Sequence, residues 1–164
     1  MRMTRSTALA LLLACMAPAT GHAAPASPAA DDGVALVGLR AQLYYERSGT
    51  LSDDVIAHDP PLSFWNTVIG GGEADEPADN LLVSAVLTNP GEEAWLDENV
   101  TVRVSGNKGR KIAERKFKGL LLAAKGTLHL PLWLNDAGCL GPITITATFR
   151  KQAVSEELQL MCGE

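Results

Sequence analysis

Apolar residues occupy every second position in several short stretches of the chain, as in Val100-Thr101-Val102-Arg103-Val104. A strand turns successive side chains to opposite faces, so this period predicts strands with one buried face. Glycine, proline or asparagine separates the stretches, and no amphipathic helix longer than two turns is indicated. Strands are expected at 37–45, 81–87, 100–104, 111–117, 128–134, 143–149 and 154–161.

Short strands separated by turns predict an all-β fold of the antiparallel sandwich type. The segment 130–149, in which Asp136-Ala137-Gly138-Cys139 leads into a predicted strand, resembles the Asp-x-Gly corner of immunoglobulin-like domains. The tyrosine of that corner and the cysteine spacing of antibody domains are absent, so the resemblance implies the architecture alone. The expected fold is an immunoglobulin-like antiparallel β-sandwich of about seven strands with one long acidic loop.

The acidic loop is the segment from Ser48 to Asn80, which has 33 residues, seven of them acidic, and no lysine or arginine. Its centre, 62–69, is apolar and is expected to form a short helix or strand packed on the sandwich. Gly70-Gly71-Gly72 is expected to be a turn or hinge that ends it. The run from Trp65 to Gly72 resembles a motif of uncharacterised secreted bacterial proteins, which implies no particular activity.

The first residues have the three parts of a secretory signal: two arginines, an apolar stretch from Ala8 to Ala17, and small residues up to Ala23 or Ala24. An alternative is that Leu12-Leu13-Ala14-Cys15, which resembles a bacterial lipobox, anchors the chain through a lipid on Cys15. The expected organisation is a signal at 1–23, a flexible leader at 24–33 and a sandwich domain at 34–164. The location is periplasmic or secreted, and the mature chain has no apolar run of the roughly 20 residues that a membrane span needs.

Cleavage of the signal leaves Cys139 and Cys162, which are expected to form a disulfide in an oxidising compartment. If 143–149 and 154–161 pair as antiparallel strands about a turn at Arg150-Lys151, the residue numbers of each facing pair add to about 301. The numbers 139 and 162 have the same sum, so this register places the two cysteines opposite each other. Glu156 then faces the apolar Ile145, and a bulge at that point would shift the register.

The acidic loop also holds the candidate binding residues. An imidazole and carboxylates could form a polar site there, next to an aromatic ring and an amide. No nucleophile, base and orienting group stand at a diagnostic spacing, so no catalytic residue is assigned. The candidates for this binding loop are Asp53, Asp54, His58, Asp59, Trp65 and Asn66.

Calcium is the metal that the loop would favour, because hard cations prefer clustered oxygen ligands. The spacing of the acids does not match an EF-hand, and a solvated acidic loop is the simpler interpretation. No other cofactor is indicated. The calcium candidates are Glu73, Asp75, Glu76 and Asp79.

Charge is distributed unevenly along the chain. Residues 31–102 contain 14 acidic and two basic residues, whereas 103–164 contain ten basic and five acidic residues. Most of the positive charge lies in 103–118, here called the basic ribbon. It could bind an anionic surface, face the acidic loop, or protect a strand edge from pairing. Its candidate binding residues are Lys108, Arg110, Lys111, Arg115 and Lys116.

These features predict a non-catalytic secreted or periplasmic module that binds an envelope component or a protein partner. Nucleic acid is not expected as a partner, because the chain is exported and its net charge is negative. The alternative is a small hydrolase or a calcium-binding protein that uses the 48–80 loop.

Overall fold

The computed structural model of the protein describes residues 33–57, 64–65, 71–72 and 74–161, with the backbone alone for 64–65, 71–72 and 161. Over these residues the fold is all-β and has no α-helix. They include no helix whose length and hydrophobicity would let it cross a membrane. The predicted signal, nearly all of the leader and several candidate residues lie outside the described residues: His58, Asp59, Asn66, Glu73, Cys162 and the side chain of Trp65.

Strands follow one another with short connections after residue 74. Two 3-10 turns, Asn107–Gly109 and Ala137–Cys139, interrupt them. The strands are β1 Ala35–Tyr45, β2 Thr50–Leu51, β3 Phe64–Trp65, β4 Gly71–Gly72, β5 Asn80–Thr88, β6 Ala94–Leu96, β7 Val100–Ser105, β8 Lys111–Phe117, β9 Leu120–Leu122, β10 Thr127–Leu134, β11 Ile143–Phe149, β12 Gln152–Leu158 and β13 Leu160–Met161.

Two four-stranded antiparallel sheets contain the long strands. The first sheet has the order β10-β5-β1-β2, and the second has the order β12-β11-β7-β8. Two smaller sheets accompany them: β6 pairs with β9, and β13 pairs with β3 in parallel while β3 pairs with β4 in the antiparallel sense.

The core is built from the alternating apolar positions. Val100, Val102 and Val104 of β7 are fully buried, whereas Thr101 and Arg103 between them face outward. The same alternation holds in β11, and buried residues of both large sheets belong to one hydrophobic cluster. Burying apolar surface in this way is the main favourable contribution to folding. The period-two pattern of the sequence is therefore confirmed for these strands.

Val37 begins the predicted strand 37–45 and shares its alternate positions with Leu39 and Ala41, which predicts that it faces the core, and this prediction is wrong. The pairing of β1 with β5 shifts register between Leu36 and Gly38, as at a β-bulge. A bulge moves the side chains before it to the opposite face. Val37 is accordingly 54% exposed, and Leu36 takes the buried position.

The last hairpin has the predicted register. Its pairs run from Ile143 with Leu158 to Phe149 with Gln152, around a turn at Arg150-Lys151. The register continues past Glu156 without a bulge, because this side chain is exposed at the open edge of the sheet. The predicted strand 154–161 is not continuous, since Leu160 and Met161 leave β11 and pair with β3.

The disulfide stays a prediction. Cys139 belongs to the 3-10 turn Ala137–Cys139, which contacts β13. Cys162 is the residue after β13 and lies outside the described residues.

The centre of the acidic loop contains strand backbone. Phe64 and Trp65 form β3, which agrees with a short strand there. Gly71 and Gly72 were expected in a turn or hinge, but they form β4. Glycine can adopt extended backbone as well as turn conformations, so pairing with β3 decides the structure here.

Candidate functional site

The first part of the acidic loop covers the edge of β1. The backbone N–H groups of Ser52 and Val55 donate to carbonyls of β1, those of Leu43 and Ala41 respectively. The Asp54 Oδ1 atom accepts from the N–H of Ala41 at 3.1 Å and from the N–H of Ile56 at 3.2 Å. Asp54 also lies 3.5 Å from the Arg40 guanidinium. Its carboxylate therefore occupies a structural position, whereas the neighbouring Asp53 is exposed.

The second part of the loop is fixed to the end of β1. The Tyr45 hydroxyl accepts from the backbone N–H of Asp75 at 3.2 Å. Burial raises the pKa of Tyr45; the Asp75 hydrogen bond opposes this, and the charges of nearby acids, Asp75 first, raise it further. The Glu46 carboxylate accepts from the backbone N–H of Asp79 and from the Asn80 amide. The loop thus contacts the sheet through both backbone and side chains.

The structure does not assemble a metal site from the described part of the chain. Among residues 33–57, 64–65, 71–72 and 74–161, no three His, Cys, Asp or Glu side chains are placed to hold one metal ion. Glu73 and His58 lie outside these residues. Calcium binding therefore stays a prediction.

A polar depression of about 300 Å³ lies on the outer face of the second sheet. The strand register places its side chains in two rows that run across β11, β7 and β8. One row is Thr148, Thr101 and Lys116, and the other is Thr146, Arg103 and Glu114. Alternate residues on one face of a strand are about 7 Å apart. The depression therefore presents hydroxyl groups and cations in a fixed array.

Glu114 is the acid of this depression. The Arg103 Nε atom donates to its Oε2 atom at 2.6 Å, and the Lys111 ammonium lies 3.9 Å from its Oε1 atom. The Arg103 hydrogen bond holds the pKa of Glu114 below its ordinary value; partial desolvation opposes this, and the charges of Arg103, Lys111 and Lys116 add to the lowering. The negative charge of the Glu114 carboxylate is therefore compensated by its cationic neighbours.

The candidate residues of the basic ribbon separate into groups. Lys116 faces the depression, whereas Lys108, Arg110 and Lys111 are exposed at or beside the hairpin turn. Arg115 points the other way: its Nη1 atom donates to the carbonyl of Pro131 at 3.1 Å, and its guanidinium lies over the Phe117 ring. Arg115 thus connects β8 to β10.

The threonines that line the depression, Thr101, Thr146 and Thr148, were not predicted as site residues. Arg103 and Glu114, which also line it, lie within the predicted basic ribbon but were not named among its candidate binding residues. The alternation of Thr144, Thr146 and Thr148 with buried residues is the signal that could have located this polar face.

No protein family matches the chain, and no curated protein has a similar sequence.

We expect Asp54→Ala to destabilise the protein by about 1–3 kcal/mol, because it leaves the buried N–H of Ala41 without its carboxylate acceptor. Asp53→Ala is the matched control and should change stability by no more than about 0.5 kcal/mol. Urea unfolding measures both values. Equal effects of the two substitutions would contradict the structural role of Asp54.

We expect the Glu114 carboxyl to titrate below the ordinary glutamate range and to return toward it in Arg103→Gln. A carboxyl whose pKa is lowered on folding stabilises the fold above its unfolded-state pKa of about 4.3, and this stabilisation is lost as the pH falls through the lowered value. Carbon-13 NMR of the side-chain carboxyl measures the titration, with Lys125→Gln as the control. An unchanged titration in Arg103→Gln would refute the assignment.

Proposed function

We propose that the chain folds as an immunoglobulin-like β-sandwich. Of the seven long strands in chain order, the first, second and fifth (β1, β5 and β10) share one sheet. The third, fourth, sixth and seventh (β7, β8, β11 and β12) share the other. In the seven-stranded immunoglobulin arrangement the fourth strand lies in the sheet of the first, second and fifth strands, so this chain resembles that arrangement with the fourth strand, β8, moved to the other sheet. β1 also contacts β11 and β12, and β8 contacts β10, as two stacked sheets require.

Nuclear Overhauser effects between side chains of β1 and β11 test this fold. A stacked pair of sheets brings apolar side chains of the two strands into contact across the core. We expect such contacts, together with contacts between β8 and β10. Their absence in a folded sample would reject the sandwich.

We further propose that the protein is exported and acts as a non-catalytic module that binds an anionic polymer or surface of the cell envelope. The observation that carries this proposal is the state of the charges on the basic ribbon. Lys108, Arg110 and Lys116 form no ion pair among the described residues, while the acid of the ribbon, Glu114, is already paired with Arg103. Positive charge is therefore left to meet an external anion.

The chemistry of the depression favours binding over catalysis. The described residues that line it supply threonine hydroxyls, two cations and the paired Glu114 carboxylate, and none of them is a histidine or a cysteine. A threonine hydroxyl acts as a nucleophile when a neighbouring base accepts its proton. Glu114, whose pKa is lowered by Arg103, is a weak base for that role. Donor groups in this arrangement hydrogen-bond to a ligand and compensate its charge.

The residues before the domain supply the argument for location. The tripartite pattern of residues 1–23 is that of an export signal, with lipidation of Cys15 as the alternative. Either route brings the domain to the envelope, where anionic lipids and polymers are available to the ribbon.

Replacing Lys108, Arg110 and Lys111 together with Glu should abolish binding to an anionic polymer such as polyglutamate or to phosphatidylglycerol vesicles. Wild-type binding should weaken with added salt, because the Debye length is only about 10 Å at 0.1 M salt. Arg47, Lys125 and Lys151, replaced together with Glu, provide a control with the same change of net charge. Sedimentation or calorimetry measures binding, and circular dichroism confirms folding.

Unchanged binding in the ribbon variant would reject the ribbon as the binding surface. Equal losses in the ribbon variant and the control would show that net charge alone governs association. A wild-type protein that binds no anionic probe at low salt would overturn the proposed function itself.

A further inference from the structure

Trp95 is exposed on the short pair of strands β6 and β9. Its side chain is 62% exposed, and the directly facing Leu121 is 54% exposed. The next residue, Leu96, is fully buried in the core, so the strand that carries Trp95 is well anchored. A large aromatic ring held outside a filled core is available for contact with a ligand.

Two contacts restrain the ring. The indole Nε1 atom donates to the Asp97 Oδ1 atom at 2.9 Å. On another side the ring lies against Gly119, where a Cβ atom would be only 3.2 Å from the Trp95 Cζ2 atom. Gly119 also has a φ of +59°, which favours glycine. Because the indole N–H is already bonded, the exposed ring surface is the part of Trp95 that remains to meet a ligand.

We propose that Trp95 stacks on a sugar ring and that the ligand of the protein is an acidic polysaccharide. This inference rests on the proposed function, since the basic ribbon supplies the attraction for an anionic polymer. One face of many pyranose rings carries C–H groups and packs flat on an aromatic ring, while the hydroxyl groups around its rim form hydrogen bonds. The indole of Trp95 offers a surface for the C–H face, and the adjacent Asp97 carboxylate can accept hydrogen bonds from the hydroxyl groups.

The groups around Trp95 favour a sugar over a lipid. Asp97 is bonded to the indole and would have to enter a bilayer with it, and burying a carboxylate without a counter-charge is costly. Glu92 and Glu93, which precede the strand, are exposed too, and a membrane surface that is anionic throughout would repel them, whereas a polysaccharide with alternating uncharged sugars can place a neutral ring beside them. Sugar hydroxyls, in contrast, can donate to these carboxylates.

The stacking position lies close to the cations of the ribbon. Lys118 directly precedes Gly119, and Lys116 is three residues before it, which extended chain spans in about 10 Å. Asp97 lies beside Trp95, and the cations Arg103 and Lys116 line the depression. The arrangement therefore fits a polymer that places an uncharged sugar on Trp95 and an acidic group at Lys116 or Lys118.

A second tryptophan provides a matched control. Trp133 is held in the same way, since its Nε1 atom donates to the Asn135 Oδ1 atom at 2.9 Å and the intervening Leu134 is buried. It is 41% exposed on β10, in the first sheet, and its ring packs against Tyr44. Trp133 thus shares the local geometry of Trp95 but lies on a different sheet.

The test compares three probes. Hyaluronan alternates a uronate with an uncharged amino sugar, polyglutamate carries carboxylates without sugar rings, and phosphatidylglycerol vesicles offer an anionic lipid surface. We expect Trp95→Ala to weaken hyaluronan binding about three- to tenfold, as loss of one aromatic stacking contact would. It should leave polyglutamate binding unchanged. Trp95→Phe should retain part of the hyaluronan affinity, and Trp133→Ala should retain all of it.

Other outcomes overturn the inference and are distinguishable from failure of the proposed function. Unchanged hyaluronan binding by a folded Trp95→Ala variant removes the stacking site, while loss of binding in the ribbon variant would still support the anionic module. Binding to vesicles but not to hyaluronan replaces the sugar with a lipid. A loss that is equal for polyglutamate and hyaluronan, or equal in Trp95→Ala and Trp133→Ala, also rejects sugar stacking at Trp95.

Discussion

The hydrogen-bonding requirement of the sheet edges is the constraint on which the rest of the structure depends. An open edge strand presents N–H and C=O groups that pair with other chains unless they are covered. On β1 the loop atoms of Ser52, Asp54 and Val55 supply the missing partners. On β10, Pro131 has no N–H, and its carbonyl accepts from Arg115. At β12 the Gln152 side chain accepts from the backbone N–H of Leu36, which connects the two large sheets.

Edge coverage also accounts for part of the uneven charge. Asp54 and Glu46 belong to the acidic half of the chain. Asp54 accepts from an N–H of β1, and Glu46, the residue after β1, accepts from the N–H of Asp79, the residue before β5. Arg115 belongs to the basic half and donates to a backbone carbonyl. These charged side chains form hydrogen bonds to the backbone of the same chain, because carboxylates accept hydrogen bonds and guanidinium groups donate them. Other cations, which these contacts do not use, lie at the hairpin turn and in the depression, and they are the ones to which the proposed function assigns a role.

The long strands could be predicted because each carries its own evidence: the valines of β7 and the isoleucines of β11 alternate with polar residues, and a two-residue turn sets the register of β11 with β12. Other features depend on distant residues. β6 and β9 have three residues each, too few for a period to be recognised. The parallel pair of Leu160 with Phe64 joins segments almost a hundred residues apart. Within the candidate site, the basic ribbon was predicted from its charge. The structural role of Asp54 could not be predicted, because it depends on the position of the Ala41 backbone N–H in the folded chain.

On the outer face of the second sheet, one choice of residue serves folding and also suits the binding role proposed above. Thr144, Thr146 and Thr148 alternate with the buried residues of β11, and their branched Cβ atoms suit an extended backbone. Their hydroxyl groups cost nothing in the core because they point away from it. The same three residues could be valine without loss of strand propensity, but they would then expose an apolar sheet face that invites association between copies. Threonine keeps the face polar, and beside Arg103 and Lys116 this polarity becomes an array of donors whose spacing the sheet holds constant. For the proposed ligand, a rigid array of this kind would lose little conformational freedom on binding, which is the physical advantage that a site on strands has over a site on loops.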